Sequence, residues 1–176
     1  MQRSIIGADL FVIVDDLYEG KRIVKPTVLF AVDEEGKAHE KTVYGGAAVI
    51  DGVISSVFKD TSYACSKNIN ALAMLMPILM DSGGNKLVCR GELLEKYMAF
   101  GFVPIAHAVP GIVGGEYSPE KFYMFKSKEH EEIPQNISKF ENYGEALGYL
   151  KNFAPKKKTL SFAANRSHFL DEIYLS

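Results

Sequence analysis

Tyr97 is the side chain of this sequence with the clearest chemical opportunity. It stands in Lys86-Leu-Val-Cys-Arg-Gly-Glu-Leu-Leu-Glu-Lys-Tyr-Met-Ala-Phe-Gly-Phe-Val-Pro-Ile-Ala-His-Ala-Val109, which reads as an apolar strand, a helix of about two and a half turns, Gly-Phe and a second apolar strand. A phenol is protonated at neutral pH, so a fixed one can act as a general acid. The plainer reading is a half-buried aromatic packed beside Phe100. Arg90, seven residues earlier, is equally suited to a phosphate, to a carboxylate or to no specific partner.

The remaining reactive types are scattered. Cys65 and Cys89 have neither CxxC spacing nor a histidine cluster, which gives no case for zinc, and Cys89 sits inside an apolar strand as a small core residue. Asp15, Asp16 and Glu19 follow an apolar run, and His107 lies on a strand. Such lone groups are more often solvated or structurally satisfied than basic catalysts. Glu116 and Tyr117 fall in a glycine-rich loop, and Lys156-Lys-Lys158 reads as a solvated run. Gly111-Ile-Val-Gly-Gly lacks the strand and helix of a dinucleotide fingerprint. Ser167, His168 and Asp171 are neighbours only in sequence, which is no evidence for a triad.

The elements that must position these groups can be read in outline. Leu10-Phe-Val-Ile-Val14 is strand or buried helix. Val28 to Val32, a polar turn at Asp33-Glu-Glu-Gly-Lys, and Lys41 to Ile50 read as strand, turn, strand. Asp51-Gly52 between two apolar runs predicts a tight type I′ hairpin, because both central residues need positive φ. From about residue 66, Ile69, Leu72, Ala73, Met76, Leu79 and Met80 recur at helical spacing up to Asp81-Ser-Gly-Gly, with a kink or shortening expected at Pro77. Then come a strand 86–90, a helix 92–100, a strand 103–109, a loop 110–119 and a strand 122–126. A charged loop, a short helix over 143–153 and a moderately apolar tail that docks on the domain complete the chain.

This order, and the string from Lys86 to Val109, resembles the GNAT N-acetyltransferase superfamily, whose pattern Tyr-x-x-x-Gly-Phe is matched by Tyr97 and Gly101-Phe102. The general look is similar to GNAT-like proteins of phages and mobile elements. The resemblance implies an α/β (α+β) fold with a mixed, mostly antiparallel central sheet flanked by helices: a GNAT-like domain over 1–128 and a C-terminal extension over 129–176 packed on it. It also implies acetyl-CoA as co-substrate, a primary amine on a small molecule or protein as acceptor, and Tyr97 as the acid that protonates the departing thiolate. The co-substrate would lie along Val57 and Phe58, the loop residues Ser66, Lys67, Asn68, Ile69 and Asn70, and Arg90. That loop departs from the family's Arg/Gln-x-x-Gly-x-Gly/Ala. Cys65 takes the leading position, Asn68 and Asn70 stand where glycines would be, and Lys67 offers only a point charge. Its plainer reading is a helix start capped by Ser66. The alternative to an enzyme is therefore a non-catalytic GNAT-like binding or structural module that has lost acyl-CoA use.

Composition sets the outer bounds. The chain has 176 residues, 47% of them apolar, enough to bury one core. A net charge of -2 disfavours general nucleic-acid binding. No apolar run reaches the roughly 18 residues of a membrane span, and the N-terminus lacks the pattern of a signal peptide. The expectation is a cytoplasmic protein without a membrane partner, with a homodimer left open.

Overall fold

A computed structural model of the chain describes residues 2–5, 10–14, 17–20, 22–32, 35–60, 70–113, 115–127 and 136–155. The first strands are β1 (Gln2–Ile5), β2 (Leu10–Val14), β3 (Leu17–Glu19), β4 (Arg22–Val32), β5 (Ala38–Ile50) and β6 (Val53–Lys59). Helix α1 (Ala71–Asp81) leads to β7 (Lys86–Cys89), a 3-10 turn (Gly91–Leu93) and the short helix α2 (Leu94–Met98). There follow β8 (Phe102–Ala108), β9 (Gly111–Val113), β10 (Glu116–Ser118), β11 (Lys121–Lys126), β12 (Ser138–Phe140) and α3 (Tyr143–Asn152).

One sheet runs in the order β1-β2-β4-β5-β6-β7-β11-β8-β12, with β3 attached to β4, while β9 and β10 form a separate hairpin. Neighbours are antiparallel except β6 with β7 and β12 with β8. The fold is thus mixed α+β, with a mostly antiparallel sheet flanked by helices. The ambiguous Leu10–Val14 run is a strand, paired along its length with β4.

Alternation along the strands divides the core into two layers. On one face Leu29, Leu75, Met76, Leu79, Leu87, Tyr97 and Met124 bury together under α1 and α2. On the other, Ile105, Tyr123, Phe125, Ala146 and Leu150 bury together under α3. Residues 136–155 therefore do more than dock: β12 extends the sheet beside β8, and α3 supplies Ala146 and Leu150 to the second layer.

Several boundaries differ from those the sequence suggests. The helix expected from about residue 66 begins at Ala71, and its cap is Asn70, whose Oδ1 accepts from the Ala73 amide at 3.1 Å. Ser66, the cap expected from the sequence, lies outside the described residues. The helix passes through Pro77 without ending there, and both Pro77 and Ala73, whose carbonyl loses its donor, face solvent. The helix expected over 92–100 is a 3-10 turn followed by five α-helical residues. The glycine-rich loop 110–119 contains the β9–β10 hairpin. The loop residues 61–69, the charged segment 128–135 and the chain beyond 155 lie outside the described residues.

Candidate functional site: a slot between β6 and β7

The hairpin that precedes β6 also anchors β7. Asp51 and Gly52 have φ of 49° and 81°, the two positive values a type I′ turn needs. The Asp51 carboxylate accepts from the Ile23 amide at 3.2 Å and pairs with Arg22 Nε at 3.5 Å. The Gly52 carbonyl accepts from the amides of Asn85 and Lys86 at 3.0 and 3.1 Å. This clamps the start of β7 to the start of β6.

The parallel pairing that follows is short. Val53 aligns with Lys86 and Ile54 with Leu87, and the ladder ends there. Ser56 has φ 55°, and the β5–β6 register slips between Gly46 and Ala48, so β6 carries an extra residue opposite Ala47. A bulge of this kind bends its strand and leaves one residue outside the ladder. Past Ile54 and Leu87 the two strands are unpaired, and residues of both, Val57 and Cys89 among them, line a slot there.

Two cavities meet in this slot. One, of about 510 Å³, opens toward α1 and α2 and is lined by Phe58, Lys59, Leu75, Lys96 and Phe100 among others. The second, of about 830 Å³, opens toward α3 and includes Ser55, Arg90, Lys121, Tyr123, Tyr143 and Lys151. Val57, Leu93 and Tyr97 line both, two apolar side chains and one phenol at the boundary of the two cavities. Tyr97 is 5% exposed. Burial, and secondarily the neighbouring Cys89, push its pKa up, so the phenol is protonated through the neutral range.

The residues expected to form a site fall into distinct groups. Tyr97, Val57, Phe58, Asn70 and Arg90 all line one cavity or the other. Asn70 is committed to capping, so its side chain turns back on Ala73 rather than leaving that amide free for a phosphate. Arg90 follows β7 and precedes the 3-10 turn, with its side chain exposed. Ser66, Lys67, Asn68 and Ile69 lie outside the described residues, as do Cys65, Asp15, Asp16, Lys156 and the Ser167–Asp171 string. Glu19 is the register partner of Arg22, which lines the larger cavity.

His107 lines neither cavity. Its Nε2 lies 2.5 Å from Glu120 Oε1 and its ring stacks on Phe122 at 4.7 Å, the arrangement of a satisfied structural histidine. Glu116 and Tyr117 sit exposed on the β9–β10 hairpin and line neither cavity. Cys89 is buried, with its thiol 3.5 Å from the Met124 sulfur and its pKa pushed up to about 11 by desolvation, as an unreactive core thiol should be.

Five contributors escaped the sequence reading: Lys59, Lys96, Lys121, Tyr143 and Lys151. Lys59 and Lys96 are ordinary surface lysines in sequence, one at the end of a strand and one beside the tyrosine. Lys121, Tyr143 and Lys151 become visible only when α3 is laid against β11, a long-range contact that no local pattern carries. Among the described residues no group of three or more His, Cys, Asp or Glu could hold a metal, and no helix is long and apolar enough to cross a membrane. No family model, curated protein or solved structure matches the chain.

Proposed function

We propose that the chain is an acyl-CoA-dependent N-acetyltransferase that acetylates a primary amine, with Tyr97 as general acid. The observation that carries this reading is the slot itself. Two parallel neighbours are clamped at one end and unpaired beyond Ile54 and Leu87, where β6 carries a bulge at Ser56, and a buried, protonated phenol lines the gap. A slim thioester arm needs an apolar passage through a sheet, and Val57, Leu93 and Tyr97, shared by the two cavities, would line it. Lys59 and Lys96 at the mouth toward α1 and α2 offer two cations to phosphate groups, a side-chain substitute for a glycine-rich backbone cradle.

Acetyl-CoA, when bound, supplies an activated acyl group. The reaction moves an acetyl group from sulfur to nitrogen. The C–N bond forms, the C–S bond breaks, the amine gives up a proton to water, and Tyr97 gives its phenolic proton to sulfur and regains one from solvent. The raised pKa makes Tyr97 a weaker acid than a free phenol. The same desolvation raises the proton affinity of a thiolate leaving into the slot, so the two remain matched.

A second reading, a GNAT-like binding module without acyl-CoA use, is favoured by one observation: the Asn70 side chain occupies the Ala73 amide at the start of α1. Thermal unfolding with acetyl-CoA separates the two. A ligand at 100 times its dissociation constant adds about 2.7 kcal/mol of stability. Acyl transfer predicts a clear rise in Tm and release of free thiol with an amine present, while an unchanged Tm at millimolar acetyl-CoA selects the module. Where binding is seen, Tyr97→Phe should lower turnover roughly 100-fold and leave the affinity for acetyl-CoA nearly unchanged.

A further inference from the structure

We propose that the larger cavity selects an acceptor amine that also carries an oxyanion, a carboxylate or a phosphate. This inference rests on the acyl-transfer reading for the word acceptor, but the anion site itself does not. Among the described residues, the lining of this cavity includes Arg22, Arg90, Lys121 and Lys151 and no aspartate or glutamate. That is an unusual wall for a chain in which 22 acidic residues outnumber 20 basic ones. Arg22 is neutralised by Asp51. Among the described residues Arg90, Lys121 and Lys151 make no ion pair.

The wall is also held in place. Lys121 Nζ sits 4.8 Å above the Tyr143 ring, a cation–π contact that orients the ammonium without cancelling its charge. The Tyr143 hydroxyl donates to the Pro119 carbonyl at 2.6 Å, with the Ser118 carbonyl at 2.9 Å. Tyr123 donates its hydroxyl to the Tyr143 carbonyl at 3.2 Å. At the other end of α3, Lys86 Nζ donates to the Lys151 carbonyl at 2.7 Å. Helix α3 is therefore fixed over the cavity at both ends, and Lys151 stands on its last turn.

This wall bears on the acceptor in two ways. An oxyanion on the ligand receives charge-assisted hydrogen bonds from Lys121, Lys151 or Arg90. The same positive potential disfavours the ammonium form of the amine that must attack, because a nearby like charge lowers its pKa. A dedicated carboxylate base is then unnecessary, in keeping with a lining that has none among the described residues. Diamines and polyamines are excluded by repulsion, and a neutral amine gains nothing from the wall.

The test separates this inference from acyl transfer. β-Alanine and O-phosphoethanolamine are titrated into the protein by calorimetry, with ethanolamine, β-alaninamide and 1,3-diaminopropane as controls, and the same amines are assayed for thiol release from acetyl-CoA. Both anionic amines should bind at least about tenfold more tightly than their neutral counterparts, and the double variant K121M/K151M should erase that preference while Lys121→Arg retains it. A preference for phosphate over carboxylate, or the reverse, tells which oxyanion the site takes. Equal binding of anionic and neutral amines, no measurable binding of either anionic amine, or a preference unchanged in K121M/K151M overturns the proposal. Anion binding without thiol release contradicts the transferase and leaves the anion site standing; thiol release without anion preference does the opposite.

Discussion

At the scale of single residues, Tyr97 joins protonation state to position. Its pKa is raised, so the acid form persists above the ordinary phenol range, and turnover should show no descending limb between pH 7 and 10 that belongs to this group. A kcat profile that falls with a midpoint below 9 would remove Tyr97 as the general acid. Thr27 tests a different kind of statement. It is fully buried in β4, and its hydroxyl has no hydrogen-bond partner among the described residues. Thr27→Val keeps the shape and removes the unpaired polar atom, so chemical denaturation should show a gain of about 1 kcal/mol, with m unchanged. Any loss of stability would mean that the hydroxyl is satisfied after all.

At the scale of elements, the slot exists because β6 and β7 pair over two residues and no further. The hairpin was legible in sequence, because Asp51-Gly52 has one strongly preferred conformation; the carbonyl of that turn, which fixes Asn85 and Lys86 and so brings β7 to β6, was not. The end of the pairing was not legible either. Ser56 carries no mark of a residue with φ 55°, because a left-handed serine inside Val53-Ile-Ser-Ser-Val-Phe58 is imposed by the register of β5 against β6 and not by its own preference. A β-branched residue suits that conformation poorly. Ser56→Val should destabilise the fold by about 1–2 kcal/mol and weaken acetyl-CoA binding more than Ser56→Gly does, read by denaturation and calorimetry together. Equal behaviour of the two variants would mean that the bulge does not set the slot. Helix α1 gives a similar lesson: apolar spacing located its body, whereas its first residue was set by the side-chain bond from Asn70, one of several polar residues that could have capped it.

At the scale of the whole molecule, the strand and helix order was readable because each core element has its own periodicity. The unity of the C-terminal part with the rest was harder to see. Residues 138–140 are too few to announce a strand, and β12 exists because β8 offers it an edge. Leu150, fully buried beneath the sheet, measures that unity: Leu150→Ala should cost about 2–5 kcal/mol and shift a single unfolding transition, and a separate low-temperature transition would show that α3 melts alone. Alkaline stability follows from the buried acids. Tyr123 is pushed up to about 12, first by burial and then by Tyr143, Cys89 is pushed up to about 11, and Tyr97 is raised as well. Each favours its neutral form in the folded state, so its contribution is complete below the unfolded pKa and is lost as pH climbs through the folded one. Lys86, lowered by burial, has the opposite sign over a range just below 10.5. The three acids outweigh it, so stability should hold level from pH 7 to 9 and decline from there toward pH 12. The central claim, that the gap between β6 and β7 receives an acyl thioester, is tested most directly by calorimetric titration of acetyl-CoA into the protein and into Val57→Trp, which puts a bulky ring at a position lining both cavities. Saturable 1:1 binding that disappears in the folded Val57→Trp variant is the result predicted here; no binding at millimolar acetyl-CoA, or equal binding by both proteins, would contradict it.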